Sequence, residues 1–444
     1  MSLSLPYFRN RRYLTGIDWI IGGLHSSARK STGVGSFSQA ILDVNGRLDE
    51  SIIRQLLDQI SARLPIIHGR VARDWMNIAP YWKIPGTGTT KPIPLRIVDL
   101  PSGSDCDAEQ VLADHVNAPF ESESQHLRVM LVRIGSEQSR LGLVFDHRLL
   151  DATGAEAFLR LIDETWQGRL EPIAAVMKQT EPAHLDHWLR RFSSGRRLNK
   201  LLYKLNEQDV CGLAIPPRTA AARVKFVHES LTPEETAAFS VRAGEEIGMP
   251  IILPSSTARA TLAMRKVFPE TPLSGTQYML STSANARPTG QIWESFFFNQ
   301  FSFLMFSVPK DAPDSTPAVA AMMRDQFFEQ MRENIPAAMA DAAVLWRIFP
   351  PWLVAKLTRF LFKGRMCSLY FACLRESGFT GETFLGLPAT NIIHTPLAFS
   401  PPGLNLCMTY FGGRFNLVLS YLEGAMTDDE ARRMMAAFKS SLIS

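Results

Sequence analysis

The residues with the clearest capacity for chemistry are His147 and Asp151, in the run Leu141-Gly-Leu-Val-Phe-Asp-His147-Arg-Leu-Leu-Asp151-Ala-Thr-Gly154. The apolar run predicts a strand that ends at the histidine, and a helix follows from about Gly154. An imidazole at a strand end can sit in a cleft and take a proton near neutral pH. The aspartate four positions on can fix the ring or the loop that holds it. It can equally feed the helix start, because Thr153-Gly-Ala-Glu156 has the spacing of a capping box. With nine histidines in the chain, one such pair arises easily by chance. Spacing alone therefore decides nothing.

Other chemistries find less support. There is no Gly-x-Ser-x-Gly nucleophile elbow. Gly33-Val-Gly35 lacks the third glycine of a dinucleotide loop, and no phosphate-binding Walker loop occurs. His184 and His187 are three apart without a third ligand at metal spacing, so they read as a solvated helix face and no metal site is expected.

The elements that would position the pair follow from periodicity. Residues 36–44 read as a strand, and Asp49 caps a helix to about Leu64 with Ile53, Leu56 and Ile60 on one face. Leu127–Ile134 and Arg140–Phe145 form an antiparallel pair across a turn at Gly135. Residues 168–222 hold Pro172, Pro182, Pro216 and Pro217 around a basic amphipathic piece, Trp188 to Lys204. The division is thus 1–175, a connection at 176–222, and 223–444. The second unit opens with a strand at 223–230 and a capped helix at Thr232-Pro-Glu-Glu235. Further elements are a helix at Ser256–Phe268, strands at Gln277–Ala284 and Phe296–Val308, and a helix at 317–334. A hairpin then turns at Gly412-Gly413, and a closing helix runs from Thr427 to Leu442. Each half runs strand, helix, strands, helix, which predicts two similar α/β halves.

Composition bounds the rest. At 444 residues, with 46% hydrophobic and 20% charged residues, the chain is expected to form a large globular core in two domains. A net charge of +4 over this length gives no ground for a nucleic-acid partner. Five scattered cysteines make neither a disulfide framework nor a zinc set, and a reducing, cytoplasmic setting is the simpler expectation. Asp18 breaks the apolar run after Arg9, Arg11 and Arg12, so no signal peptide is expected, and no apolar run is long enough to span a membrane.

Residues 118–168 resemble, in order and spacing, the heart of the chloramphenicol-acetyltransferase-like superfamily, whose motif is His-His-x-x-x-Asp-Gly. Its members include peptide-synthetase condensation domains, plant-type BAHD acyltransferases and wax ester synthase/diacylglycerol acyltransferases. Three further stretches are similar to family segments. They are Pro65-Ile-Ile-His-Gly-Arg70-Val; Asn285-Ala-Arg287-Pro with Phe296-Phe-Phe-Asn299; and Gly403-Leu-Asn-Leu, Tyr410-Phe-Gly-Gly and Leu419-Ser-Tyr421. The resemblance implies two α/β sandwich halves with a tunnel between them. It implies an acyltransferase that moves an acyl group from a CoA or carrier-protein thioester to a hydroxyl or amine. His147 matches the catalytic general base. Asp151 matches a structural aspartate, with Arg287 as its expected partner from the other half. Gly154 lies near the motif glycine, displaced from it, and Asn285 and Asn299 match positions lining the site. There are departures. Asp146 replaces the first histidine and is expected to act on His147 electrostatically, raising its pKa. Ala152 stands at the motif glycine, and Phe298 stands where glycine usually precedes the asparagine.

No permanently bound cofactor is implied, only acyl-CoA or a phosphopantetheinyl carrier as co-substrate, the carrier acting in trans. Specialised-metabolite or lipid biosynthesis is the expected setting. An amide-forming, peptide-synthetase-like condensation enzyme is one alternative. A non-catalytic relative that binds a carrier or another protein is the other. Leu345–Arg365 and Trp188–Lys204 are both apolar and basic. Such segments suit a peripheral membrane contact or an acidic carrier, or else helices packed on the second domain with their charges in water.

Overall fold

In the computed structural model, the described residues are 10–33, 35, 37–73, 80–86, 88, 91–101, 104–177, 188–213, 223–268, 275–361, 365–396, 398 and 401–444. His184, His187 and the prolines at 182, 216 and 217 fall outside them. The first half comprises β1 (Arg11–Tyr13), α1 (Gly16–Thr32), β2 (Phe37–Asn45), α2 (Glu50–Arg63), β3 (Arg70–Arg73), β4 (Pro80–Lys83) and β5 (Leu95–Leu100). It continues with α3 (Asp105–Asn117), β6 (Leu127–Ile134), β7 (Gln138–Asp146), α4 (Ala152–Trp166), α5 (Glu171–Met177) and α6 (Trp188–Asn206). The second comprises β8 (Val224–Ser230), α7 (Pro233–Ile247), α8 (Leu253–Val267), β9 (Gln277–Asn285), β10 (Phe301–Pro309), α9 (Thr316–Arg332), α10 (Ile335–Ala343) and α11 (Pro351–Leu361). After these come β11 (Leu369–Leu374), β12 (Thr383–Phe384), β13 (Leu387–Pro396), β14 (Leu404–Phe411), β15 (Arg414–Leu422) and α12 (Asp428–Ile443).

Two six-stranded sheets result, ordered β12-β13-β2-β7-β6-β5 and β10-β9-β11-β14-β15-β8. Strands alternate their side chains between faces. Ala40, Leu42 and Val44 of β2 therefore join Leu141, Leu143 and Phe145 of β7 in a core shared with α2 and α4. A second core joins β14 and β15 to α7, α8 and α12, through Phe239, Met264, Leu406, Leu417, Met434 and Phe438. The hairpin of β14 and β15 turns at Gly412 and Gly413, both at positive φ (56° and 83°), the left-handed backbone such two-residue turns require.

The sheets are not contiguous in sequence. Residues 383–396 leave the second half and extend the first sheet, β13 pairing antiparallel with β2 from Ala389↔Val44 to Pro396↔Ser38. This covers an edge that β2 would otherwise expose. The helix α6 packs on α10, which accounts for the buried Arg191, Ser194 and Leu198, while Leu189, Phe192 and Tyr203 remain exposed on its other face.

Two sequence expectations shift. The helix at the end of β7 begins at Ala152, with Asp151 as its N-cap, its carboxylate accepting from Gly154 N at 2.8 Å. Glu156 is not part of a capping box. The strand expected from Phe296 begins only at Phe301. Residues 296–298 instead cross to the first half, where Phe298 N donates to Leu149 O at 2.7 Å.

Candidate active site between the halves

His147 is the first residue past β7. The turn that carries it is pinned on both sides. Leu149 N returns to Asp146 O at 2.8 Å, Leu150 bridges Phe298, and Leu149 and Leu150 are fully buried. The loop is therefore braced by the second half.

The imidazole is held by Asn299, its Nδ1 2.9 Å from Asn299 Oδ1. The amide orientation is decided by its own partners. Asn299 Nδ2 donates to Asp18 Oδ1 and to His147 O, both at 3.0 Å, and both are acceptors. Its Oδ1 can only accept, so Nδ1 of His147 carries the proton and the lone pair lies on Nε2. Nε2 has no hydrogen-bond partner among the described residues. Asp18 also accepts from Asn299 N at 3.0 Å and completes a capping box with Thr15 at the start of α1. A chain of contacts thus runs from a helix cap through an amide to the imidazole. Asp18 was not anticipated as a site residue; its sequence signal is the Thr15-x-x-Asp18 spacing.

Asp151 faces the other half. Arg287 Nη2 lies 2.9 and 3.1 Å from its two carboxylate oxygens, and both side chains are over nine-tenths buried. Gln300 N donates to the same carboxylate at 3.0 Å. Asn285 accepts from Arg287 N at 2.9 Å, shaping the turn that delivers the guanidinium. Gly154 is required for close approach: a Cβ there would lie 2.7 Å from Phe296 O.

Asp146 does not line the site. Its carboxylate reaches Arg148 Nε and His126 Nδ1, each at 3.0 Å, rather than the imidazole of His147. Burial opposes its ionisation, but Arg148 and then the His126 hydrogen bond hold it well below the usual carboxylate range. His126 in turn bonds Gly69 O at 2.8 Å, which gives the Gly69-Arg70 segment a structural part. Nearby His25 is buried; burial first, then Arg148, push its pKa down to about 3. Between about pH 6.5 and 3 the unfolded chain therefore binds a proton at His25 that the folded chain refuses, and stability falls as pH falls. His25→Gln is expected to flatten the pH dependence of urea unfolding in that window by on the order of 1 kcal/mol per pH unit.

Phe298 adopts φ 70°, a left-handed backbone in which a phenylalanine is strained. Its ring is buried, 6.0 Å from Trp82, with the Arg12 guanidinium 4.0 Å above it. Burial outweighs strain. Phe298→Gly should recover about 1–2 kcal/mol of backbone strain and lose about 3–5 kcal/mol of packing. A lowered midpoint of chemical unfolding is the expected result.

His147 and Asp151 line a cavity of about 360 Å³ between the two sheets, with Ser38 from the first half and Thr282, Phe301 and Tyr370 from the second. Its size and its mixture of apolar walls with a few polar groups suit a small-molecule site. Among the described residues no group of histidine, cysteine and carboxylate side chains is placed to hold a metal.

This arrangement of two six-stranded sheets with their helices is the fold of solved condensation domains. The first condensation domain of the calcium-dependent antibiotic synthetase, in complex with a substrate analogue, superimposes with a TM-score of 0.67 at 14% identity over 98% of this chain and 96% of that one. The cyclization-docking bidomain of the EpoB peptide synthetase from Sorangium cellulosum gives 0.63 at 17% identity, covering 100% and 86%. SgcC5 from Streptomyces globisporus, in complex with a naphthyl-ethanediol and sucrose, gives 0.62 at 14% identity over 97% of each. No family model and no curated relative matches the chain.

Proposed function

We propose that this protein is an acyltransferase that forms an ester or amide in natural-product biosynthesis, taking its acyl group from a CoA or carrier-protein thioester. The observation that carries the reading is the state of His147: its proton is fixed on Nδ1 by Asn299, leaving Nε2 as a base at the interdomain cavity. In the reaction, Nε2 takes the proton of the acceptor hydroxyl or amine as that group attacks the thioester carbonyl. The tetrahedral intermediate collapses by breaking the carbon–sulfur bond. The leaving thiolate takes the proton back from Nε2, so the base is regenerated and no further reagent is consumed. Asp151 and Arg287 hold the His147 turn against the second half.

The likeness to the condensation domains supports a carrier-bound donor. The exposed face of α6, with Leu189, Phe192 and Tyr203 among arginines and lysines, suits an acidic carrier or a peripheral lipid surface. Among the described residues no helix is long and apolar enough to cross a membrane.

The test is product analysis by mass spectrometry, with a panel of acyl-CoA and acyl-carrier donors against alcohols and amines. An ester or amide product that disappears in His147→Ala supports the reading. Failure of every pair to react, with donor binding retained, would favour a non-catalytic carrier-binding protein.

A further inference from the structure

The cavity holds a second imidazole. His394, on β13, lines the same space as His147 and is 2% exposed. Its Nε2 is 2.7 Å from Glu156 Oε1, one turn along α4 from Asp151. The other carboxylate oxygen of Glu156 accepts from Ser377 Oγ and Gly378 N, each at 2.6 Å, which locks its orientation. A carboxylate only accepts, so Nε2 of His394 donates and the neutral ring keeps its lone pair on Nδ1. That Nδ1 is buried with no hydrogen-bond partner among the described residues. So are Asn405 Oδ1 on β14 and Thr282 Oγ1 on β9, and both residues line the same cavity. Buried polar atoms are nearly always paired. Three unpaired ones on residues that line one cavity, Asn405 Oδ1 an acceptor only and Nδ1 an acceptor in the neutral ring, point to a ligand that supplies donors.

The strand register places this cluster away from the proposed base. Asp146, just before His147, pairs with Phe37 of β2, while His394 pairs with Ala40. Two strand spacings across and about four residues along correspond to roughly 10 Å and roughly 13 Å, so the backbone positions that carry the two imidazoles lie about 16 Å apart.

We propose that His394, set by Glu156 and accompanied by Asn405 and Thr282, is a recognition pole for a hydroxyl or amino group at the remote end of the substrate. The substrate is then a polyfunctional chain rather than a plain hydrocarbon one. His394 acts as a positioning residue, holding the substrate's far end while His147 serves the reacting end. This inference rests on the acyl-transfer reading of the cavity.

Matched pairs test it: decanol against decanediol with a hydroxyl at each end as acceptors, and decanoyl-CoA against ω-hydroxydecanoyl-CoA as donors. Wild type should prefer the hydroxylated member of one pair by on the order of tenfold in kcat/KM. His394→Leu should bring that ratio close to one, and His394→Gln, whose amide oxygen can accept, should restore part of it. Should His394→Leu fail to fold, Asn405→Leu carries the same comparison. A preference retained in the leucine variants, or absent from wild type in both pairs, overturns the proposal. The same pairs are also titrated calorimetrically. Discrimination in binding that His394→Leu removes, without any transfer, would leave the pole standing and sink the acyl-transfer reading instead.

Discussion

Replacing His147 by alanine should lower kcat/KM for acyl transfer by a factor of about a hundred to ten thousand, the usual worth of a positioned general base. The fold should survive. The side chain makes one hydrogen bond, to Asn299, and lies at the edge of a cavity rather than in either core. Circular dichroism and the unfolding midpoint of the variant should therefore match wild type to within the value of one hydrogen bond, about 1 kcal/mol. Asn299→Ala provides the companion measurement. It leaves the imidazole in place but removes the acceptor that fixes the proton on Nδ1, so a smaller loss of turnover is expected, about tenfold to a hundredfold. Purified His147→Ala with wild-type turnover would end the assignment of this residue as the base. Equal losses in the two variants would place the effect in the loop geometry instead.

What the sequence made legible follows the range of the interactions. The strand ending just before His147, the capped helix at Thr232, the closing helix from Thr427 and the Gly412-Gly413 turn are local patterns, each written in neighbouring residues. The Asp151–Arg287 pair spans 136 residues and was legible only through the resemblance of Asn285-x-Arg287 to a family segment. Asp18 was hidden by its setting. Its run looked like an interrupted signal sequence, although the interruption is the third helical residue of a capping box. Asp146 was expected to act on His147 electrostatically, whereas its carboxylate turns to Arg148 and His126, partners that lie outside the motif pattern. His394 carried no local mark, because its partner Glu156 lies 238 residues away and only the transfer of β13 to the first sheet brings them together. Phe298 was visible as a departure from glycine, but its positive φ and the packing against Trp82 and Arg12 that compensates for it are properties of the folded chain.

The second large effect concerns the ion pair that joins the halves. Asp151 and Arg287 are buried with an Nη2–Oδ1 distance of 2.9 Å, so removing one partner strands the other charge away from water. Each single alanine variant should cost about 3–5 kcal/mol. The two are not equivalent. Asp151→Ala also removes the N-cap of α4 and the acceptor of Gln300 N, which adds about 1 kcal/mol. In Arg287→Ala the carboxylate keeps both of those backbone donors, so its charge is partly compensated and the loss should be the smaller one. In the double variant neither charge remains to be stranded. The total should fall short of the sum of the singles by about 1–3 kcal/mol, the coupling expected of residues in direct contact. Urea unfolding of wild type, both singles and the double, followed by two probes to establish a single transition, measures the cycle. Additivity within about 0.5 kcal/mol would show that the pair does not couple the halves. A full coupling would show that the second half braces the His147 turn: the residue that caps its helix is also the residue that the second half grips.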